Sequence, residues 1–332
     1  MIWWVPLKTL LLTTPGYGRN KWESMLRFYQ QNQLTNAPRR SSYGYGFTLV
    51  ELLVVIAVIA ILASLLMSAL TRTKMRAQGT FCLNNTRQLT LAWKTYSDDR
   101  DDRLPYNLAM NGEGSSQPVS SKTNLNWVND IMDWEVHLDN IDSTGITDAS
   151  LWPYARSLGI YHCPADNVVS SVQAAAGWSS RIRSYSMNAM VGDAGAVSDG
   201  GRNKNNPDYV QFFTMSAISH PANIFIFLDE HPDSINDGYF LNKAVDINYA
   251  SSYAGKSSVA QWIDLPASFH NGGASFSFAD GHSESHRWKL DSTKLPPMPD
   301  AAGLPRSLSS SDITDFNWVV DHMSVDTDSN QK

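Results

Sequence analysis

Cysteine and charge are both scarce in this chain. It has 2 cysteines among 332 residues, which excludes a disulfide-rich scaffold and a zinc site made of four cysteines. Charged residues make up 17% of the chain, where about a quarter is usual. The 20 glycines and 15 prolines are too few for a fibrous or low-complexity protein. A formal net charge of −6 argues against a nucleic-acid-binding protein, which would carry a basic patch.

One long hydrophobic run is the strongest feature of the sequence. Residues 47–67 read FTLVELLVVIAVIAILASLLM, and their only polar members are Thr48, Glu51 and Ser64. A helix of this length spans roughly 30 Å, which is the thickness of the hydrocarbon core of a bilayer. The alternative is a buried core helix, but such helices are seldom apolar on every side. The run therefore predicts a membrane-inserted helix.

Charge is distributed unevenly around this run. Residues 1–46 carry six basic side chains and one acidic one, a net charge of +5, so the remaining 286 residues carry −11. Basic residues lie close to both ends of the run, so the positive-inside rule does not settle its orientation. A secretory signal peptide fits poorly, because its apolar region is shorter and is followed by the cleavage site.

A carboxylate within the apolar run is the basis of a resemblance to a known family. Glu51 is the fifth residue counted from Phe47, which directly follows Gly46. The segment RRSSYGYG followed by FTLVE resembles the class III signal of type IV pilins and type II secretion pseudopilins. The resemblance implies that a prepilin peptidase cleaves after Gly46 and that the new N-terminal Phe47 becomes N-methylated. It also implies that Glu51 neutralises the terminal amine of a neighbouring subunit and fixes its register.

The resemblance also implies how the first hundred residues are organised. Residues 1–46 are a basic leader of unusual length, and a start at Met25 is the alternative. Residues 47–67 are the transmembrane part of the N-terminal helix, and residues 68–98 are its amphipathic continuation. The stripe that supports this continuation recurs at every seventh position and consists of Met75, Cys82, Leu89 and Tyr96.

Residues 99–294 are expected to form a globular extracytoplasmic head. The implied fold class is α+β, with the long N-terminal helix packed on an antiparallel β-sheet that has long loops. Residues 224–228 predict a buried strand, and residues 274–288 predict a hairpin that turns at Asp280-Gly281. Residues 107–126 and 192–208 read as loops. Residues 295–332, rich in proline and serine, read as a peripheral C-terminal tail.

The two cysteines, Cys82 and Cys163, are candidates for a disulfide. A pilin-type signal places the head outside the cytoplasm, where disulfides persist. A bridge would tie the long helix to the segment YHCPAD and would contribute about 4 kcal/mol in the chain-entropy model. Two free, buried thiols are the alternative.

A second resemblance concerns the histidines near the C-terminus. His270 and Asp280-Gly281 stand in the spacing H-x9-DG, which resembles an element found in a large bacterial group of pilin-like proteins. Three interpretations are open. His270, Asp280, His282 and His286 offer donors for a metal such as zinc. Ser268 or Ser277 with His270 and Asp280 would be a hydrolytic arrangement. We favour the third, in which His270 bonds across a hairpin turned by Asp280-Gly281.

Two further ligand types deserve a test. Calcium is bound by a C-terminal loop in many pseudopilins, and the acidic candidates here are Asp229, Glu230, Asp233 and Asp237, or the run Asp98–Asp102. A solvated acidic face is the alternative. Eight tryptophans follow residue 46, and exposed ones would form a sugar-binding platform. Burial in the core is the alternative. We expect no cofactor, and bound calcium or zinc is the alternative.

Taken together, the sequence predicts a pilin-like precursor and not an enzyme. The expected location is the inner membrane, as a single-pass protein with its head outside the cytoplasm. The expected partners are the prepilin peptidase and other pilin or pseudopilin subunits, with no nucleic acid. One alternative is a surface module that binds a glycan or a protein and uses the pilin signal for sorting. A membrane-anchored metal-dependent hydrolase is the other.

Overall fold

The structure of this protein is a computed structural model that describes residues 47–109, 123–195, 197–198, 202–243, 260–299, 303–309, 311–325 and 327. The predicted leader, with Met25 and Gly46, lies outside the described residues, as does most of the predicted loop at 107–126. The chain divides into two units, Met1–Leu62 and Ala63–Lys332.

The N-terminal element is one helix, α1, at Leu49–Asp98. Its first part is long and apolar enough to cross a membrane, and none of its most apolar 18 residues is buried. The helix ends where two aspartates, Asp101 and Asp102, adopt the left-handed backbone conformation that a helix cannot continue through. The predicted long helix that ends at Asp98 is therefore confirmed.

The second part of α1 belongs to the head. Cys82, Leu89, Trp93 and Tyr96 are buried and contribute to a hydrophobic cluster. They recur at intervals of seven, four and three residues, so they share one face of the helix. Three of them belong to the stripe predicted from the sequence, and the fourth member of that stripe, Met75, is half-buried.

The core of the head is a five-stranded sheet in the order β5-β1-β4-β7-β8. Its strands are β1 (Tyr185–Asn188), β4 (Phe225–Asp229), β5 (Tyr239–Phe240), β7 (Gly273–Phe278) and β8 (Ser283–Arg287). β5 and β1 are parallel, and every other neighbouring pair is antiparallel. The predicted buried strand and the predicted hairpin correspond to β4 and to β7–β8. The α+β fold is confirmed.

The sheet separates two hydrophobic clusters. The first, which includes Phe227 of β4, contains the buried face of α1. The second contains Phe225 of β4 and Phe276 and Phe278 of β7. Both faces of β4 and β7 are buried, and every residue of these two strands is buried. The central strands therefore lie between α1 and the C-terminal part of the chain.

Two short two-stranded sheets complete the strands. One pairs β2 (Arg202–Asn203) with β3 (Asn206–Val210), and the other pairs β6 (Gln261–Trp262) with β9 (Arg306–Ser307). The prediction that residues 192–208 are only a loop is wrong. The buried Asn203 side chain bonds to Gln211 and to the Tyr239 hydroxyl, so its polarity is satisfied inside the fold.

The C-terminal segment is not peripheral. It supplies β9 and the helix α5 (Thr314–Asp321), and Phe316, Val319 and Val320 of this helix are buried in the second cluster. The prediction of a peripheral tail at 295–332 is therefore wrong. The prediction relied on the proline and serine content of this segment and did not recognise the three apolar residues that recur on one side of α5.

The remaining elements are short. The α-helices α2 (Thr144–Thr147), α3 (Trp152–Ala155) and α4 (Ser171–Ala175) lie between α1 and β1, together with 3₁₀ turns at Leu138–Asn140 and Leu158–Tyr161. A further 3₁₀ turn, Met215–Ala217, precedes β4. These elements surround the first cluster, where Trp127 and Tyr161 are fully buried.

Candidate functional site

The start of α1 is closed by a reciprocal pair of hydrogen bonds. The Thr48 backbone N–H and hydroxyl both donate to Glu51 Oε2, at 2.8 Å and 2.7 Å. The Glu51 backbone N–H donates in turn to Thr48 Oγ1 at 3.2 Å. This is a capping box, in which two residues three apart satisfy backbone groups that a helix N-terminus leaves free. Glu51 thus has a local role that sequence reasoning missed, although Thr-x-x-Glu is its signal.

The H-x9-DG element lies along the second part of α1, the part that belongs to the head. At one end, the His270 ring packs on Gly79, where an added Cβ would lie 3.4 Å from its Cγ atom. At the other end, Lys94 Nζ donates to the carbonyl of Asp280 at 3.1 Å. Between them, the Thr90 hydroxyl donates to Ser277 Oγ at 2.7 Å. The element therefore follows the helix over four turns.

The predicted turn at Asp280-Gly281 is present. The Phe278 N–H donates to the His282 carbonyl at 2.9 Å, and Gly281 has φ 101°, a conformation that glycine adopts without strain. Asp280 Oδ1 accepts from the backbone N–H of His282 at 2.9 Å and lies 2.7 Å from its Nδ1 atom. Partial burial acts to raise the pKa of Asp280, but these bonds to His282 outweigh it, so the pKa is lowered.

His270 has partners different from those we predicted. Its Nε2 atom lies 3.2 Å from Asp229 Oδ2 and 3.4 Å from Cys163 Sγ. Asp229 is the last residue of β4, so the His270 side chain does not bond across the β7–β8 hairpin, and that expectation is wrong. The reason is that the residues before β7 lie beside the end of β4, its sheet neighbour. The structural role we favoured therefore rests on Asp229 and Gly79.

Cys82 and Cys163 complete this cluster. The structure joins them in a disulfide across 81 residues, with their Cα atoms 5.5 Å apart. One ligand atom from each of Cys82, Cys163, Asp229 and His270 lies within 4.8 Å of the others. All four residues are buried. The Ser275 N–H donates to Asp229 Oδ2 at 2.9 Å, which fixes the carboxylate.

The metal set considered from the sequence is not assembled. His270 belongs to the cluster just described, His282 pairs with Asp280, and the His286 ring stacks on Trp318 with centroids 3.6 Å apart. Among the described residues, the cluster with both cysteines is the group of potential ligands found in their place. The hydrolytic arrangement is not assembled either, because His270 pairs with Asp229 and Asp280 pairs with His282.

The acidic residues considered for calcium have separate protein partners. Asp233 Oδ2 accepts from the Met298 N–H at 2.7 Å, and Asp237 Oδ1 accepts from the Tyr239 N–H at 2.7 Å. Glu230 is fully buried, and burial raises its pKa to about 8. In the run Asp98–Asp102, Asp102 bonds to Ser216. Within the described ranges, these carboxylates do not converge on one point.

The tryptophans do not form an exposed platform. Five of the eight that follow residue 46 are buried, and the other three, Trp152, Trp178 and Trp318, are half-buried. The Trp318 ring stacks with the rings of His286 and His322, with centroids 3.6 Å and 4.3 Å apart. The surface that an aromatic sugar-binding site requires is therefore not offered by these side chains.

A buried ion pair was not foreseen from the sequence. Arg183 Nε donates to Asp130 Oδ2 at 2.9 Å, and both side chains are buried. Arg183 also donates to the Tyr185 carbonyl at 2.6 Å, which fixes the start of β1. Nothing local in the sequence marks these two residues, because 53 positions separate them.

The fold and the N-terminal segment define a class of protein, namely an α+β head carried on an apolar helix that is long enough to span a membrane. A family model described as the prokaryotic N-terminal methylation motif matches residues 44–67. No curated protein and no solved structure matches the chain. The motif supports a pilin-like substrate of a prepilin peptidase, and the one membrane-spanning candidate among the described residues, α1, carries this signal and fits an inner-membrane anchor.

Proposed function

We propose that the processed chain is a structural subunit of a type IV pilus or of a type II secretion pseudopilus. The observation that carries the proposal is the apolar part of α1. Its large side chains are exposed all round, from 46% at Val55 to 80% at Leu49. Each such side chain gains about 1.5–3 kcal/mol when it is removed from water. Lipid removes these side chains from water before assembly, and the helices of neighbouring subunits do so in a filament.

The position of Glu51 supports assembly as well as anchoring. Its carboxylate lies one turn from the N-terminus that cleavage before Phe47 would create. Cleavage also creates an α-amino cation, and opposite charges attract far more strongly at low dielectric than in water. In the free chain, Glu51 is held by Thr48. In a filament, the same carboxylate is placed to accept the amine of a neighbouring subunit.

This proposal makes the chain a substrate of the peptidase and the methylase, and not an enzyme. The pilin-type signal at residues 44–67 supports that assignment. The head then acts as the part that is displayed, and the H-x9-DG element acts as its attachment to the helix. The contacts of His270, Ser277 and Asp280 with α1 support this role for the element.

The test separates the charge of Glu51 from its capping role. We would compare the Glu51→Gln variant, which keeps an amide oxygen for the cap but loses the charge, with Thr48→Ala, which loses the two hydroxyl bonds of the cap and keeps the charge. In the native host, we expect both variants to be processed and to remain in the membrane. Only Glu51→Gln should be depleted, by about tenfold or more, from sheared surface filaments. Equal incorporation of Glu51→Gln and the wild type would refute the proposal.

A further inference from the structure

The cluster at the head end of α1 contains a complete donor set for a transition metal. Its four residues come from four segments: Cys82 from α1, Cys163 from the loop after Leu158–Tyr161, Asp229 from the end of β4, and His270 from the loop before β7. Cys82, Cys163 and Asp229 have no exposed surface, and His270 has 9%. Two sulfurs, an imidazole nitrogen and a carboxylate oxygen form the mixed set that zinc prefers.

Two edges of a zinc tetrahedron are already present. With bonds of about 2.0 Å to nitrogen and oxygen and about 2.3 Å to sulfur, tetrahedral geometry requires about 3.3 Å between N and O and about 3.5 Å between N and S. The observed separations are 3.2 Å from His270 Nε2 to Asp229 Oδ2 and 3.4 Å from His270 Nε2 to Cys163 Sγ. All four ligand atoms lie within 4.8 Å of one another, and the two sulfurs, joined to each other here, would have to separate.

The two side chains of the cluster that are not cysteines are incompletely satisfied. Asp229 Oδ1 and His270 Nδ1 are buried, and neither has a hydrogen-bond partner in the described part of the chain. A buried polar atom without a partner typically costs about 1–3 kcal/mol. The ion would bind His270 Nε2 and Asp229 Oδ2, so the proposal rests on the contacts of those two atoms, and these neighbouring unpaired atoms show only that the cluster is more polar than its surroundings satisfy.

We propose that Cys82, Cys163, Asp229 and His270 bind one zinc ion when the disulfide is reduced. A dithiol reductant gives two electrons and two protons to the Cys82–Cys163 bond and itself becomes a disulfide. Zinc then forms bonds to both sulfurs as the two thiol protons leave to solvent. The same four segments are held together in both states, by the disulfide in one and by the metal in the other. α1 thus stays attached to the head whatever the redox state.

The first experiment measures zinc on the full-length chain in detergent micelles. The chain is reduced anaerobically with a phosphine in mild denaturant, returned to native buffer with zinc chloride, and freed of unbound metal. Elemental analysis should then find close to one zinc per reduced chain and close to none per oxidised chain. Reduced wild-type protein that retains no zinc would overturn the proposal.

Variants locate the ion. Asp229→Asn and His270→Gln should weaken zinc binding at least about tenfold. The control is His282→Gln, which changes a histidine that pairs with Asp280 outside the cluster and should leave zinc binding unchanged. Equal zinc binding by the two cluster variants and the wild type would also refute the site.

Cobalt substitution keeps the test decisive if a variant fails to fold. Cobalt bound to the reduced wild-type chain should show the intense visible bands of tetrahedral coordination, with a thiolate charge-transfer band in the ultraviolet. An octahedral spectrum, or one without the thiolate band, would contradict the assigned ligands. In that case the cluster is only a His–Asp pair beside a structural disulfide.

Discussion

Gly79 offers the sharpest test of how α1 meets the H-x9-DG element. It lies inside the helix, where glycine costs about 0.8–1.0 kcal/mol relative to alanine. A Cβ added there would lie 3.4 Å from His270 Cγ and 3.5 Å from its Cβ and Nδ1 atoms, which is ordinary van der Waals contact. Alanine therefore fits without displacement, and burying its methyl group adds up to about 0.8 kcal/mol.

We expect Gly79→Ala to stabilise the head by about 1–1.5 kcal/mol. For a domain of this size, that corresponds to a rise of about 2–6 °C in the midpoint of thermal unfolding. Gly79→Val should act in the opposite direction. The two γ-methyl groups of valine extend past the Cβ position towards the His270 ring, and overpacking of this kind costs about 1–3 kcal/mol.

The assay is unfolding of the full-length chain in detergent micelles, followed by circular dichroism. A double-mutant cycle with His270→Ala assigns the cause, because removing the ring should relieve most of the valine penalty. A Gly79→Val variant as stable as the wild type would refute the packing argument. So would a valine penalty that persists in full in the His270→Ala background.

Three further predictions concern the same head. Reduction of the Cys82–Cys163 disulfide in metal-free buffer should destabilise the chain by about 4.5 kcal/mol, the chain-entropy value for an 81-residue separation, as measured by urea unfolding. A loss below about 1 kcal/mol would contradict it.

Burial lowers the pKa of His286 to about 4, whereas an unfolded histidine titrates near about 6.5. The unfolded chain therefore binds the extra proton, so stability should fall as the pH drops from about 6.5 to about 4. His286→Phe should flatten this pH dependence of stability, as measured by urea unfolding across the same pH range. An unchanged slope would contradict the prediction. Lys94→Met should cost about 1 kcal/mol through the lost bonds to the turn carbonyls, whereas Arg87→Met, on the exposed side of the same helix, should be neutral in thermal unfolding. Equal effects of the two substitutions would refute the predicted cost of Lys94→Met.

The sequence predicted those elements whose signals are local. The apolar run and the break at the aspartates defined α1, and the alternation at residues 274–278 defined β7. The alternation did not show how deeply the strand is buried, since the serines of β7 are buried along with its aromatic residues. Their small side chains let α1 lie close to the strand, where Thr90 bonds to Ser277. A pattern of period two shows which residues share a face, and not what covers that face.

The candidate site could be predicted only in part. The pairing of His270 with Asp229 and Cys163 joins residues 41 and 107 positions apart, and no spacing rule anticipates such contacts. The helix α5 was missed for a different reason. Its apolar residues follow a proline- and serine-rich stretch, and composition averaged over residues 295–332 concealed a short amphipathic period. The signal of the capping box at Thr48 and Glu51 is present in the sequence. It was missed because the resemblance had assigned Glu51 a different role.

The central claim is that this chain is a processed, pilin-like subunit. The most direct measurement is the mature N-terminus, determined by mass spectrometry on membranes from the native host. The account predicts an N-methylated peptide that begins at Phe47, with residues 1–46 removed. An intact bond between Gly46 and Phe47 in the mature protein would contradict it, because the apolar helix would then be an ordinary anchor and Glu51 would have no terminal amine to meet.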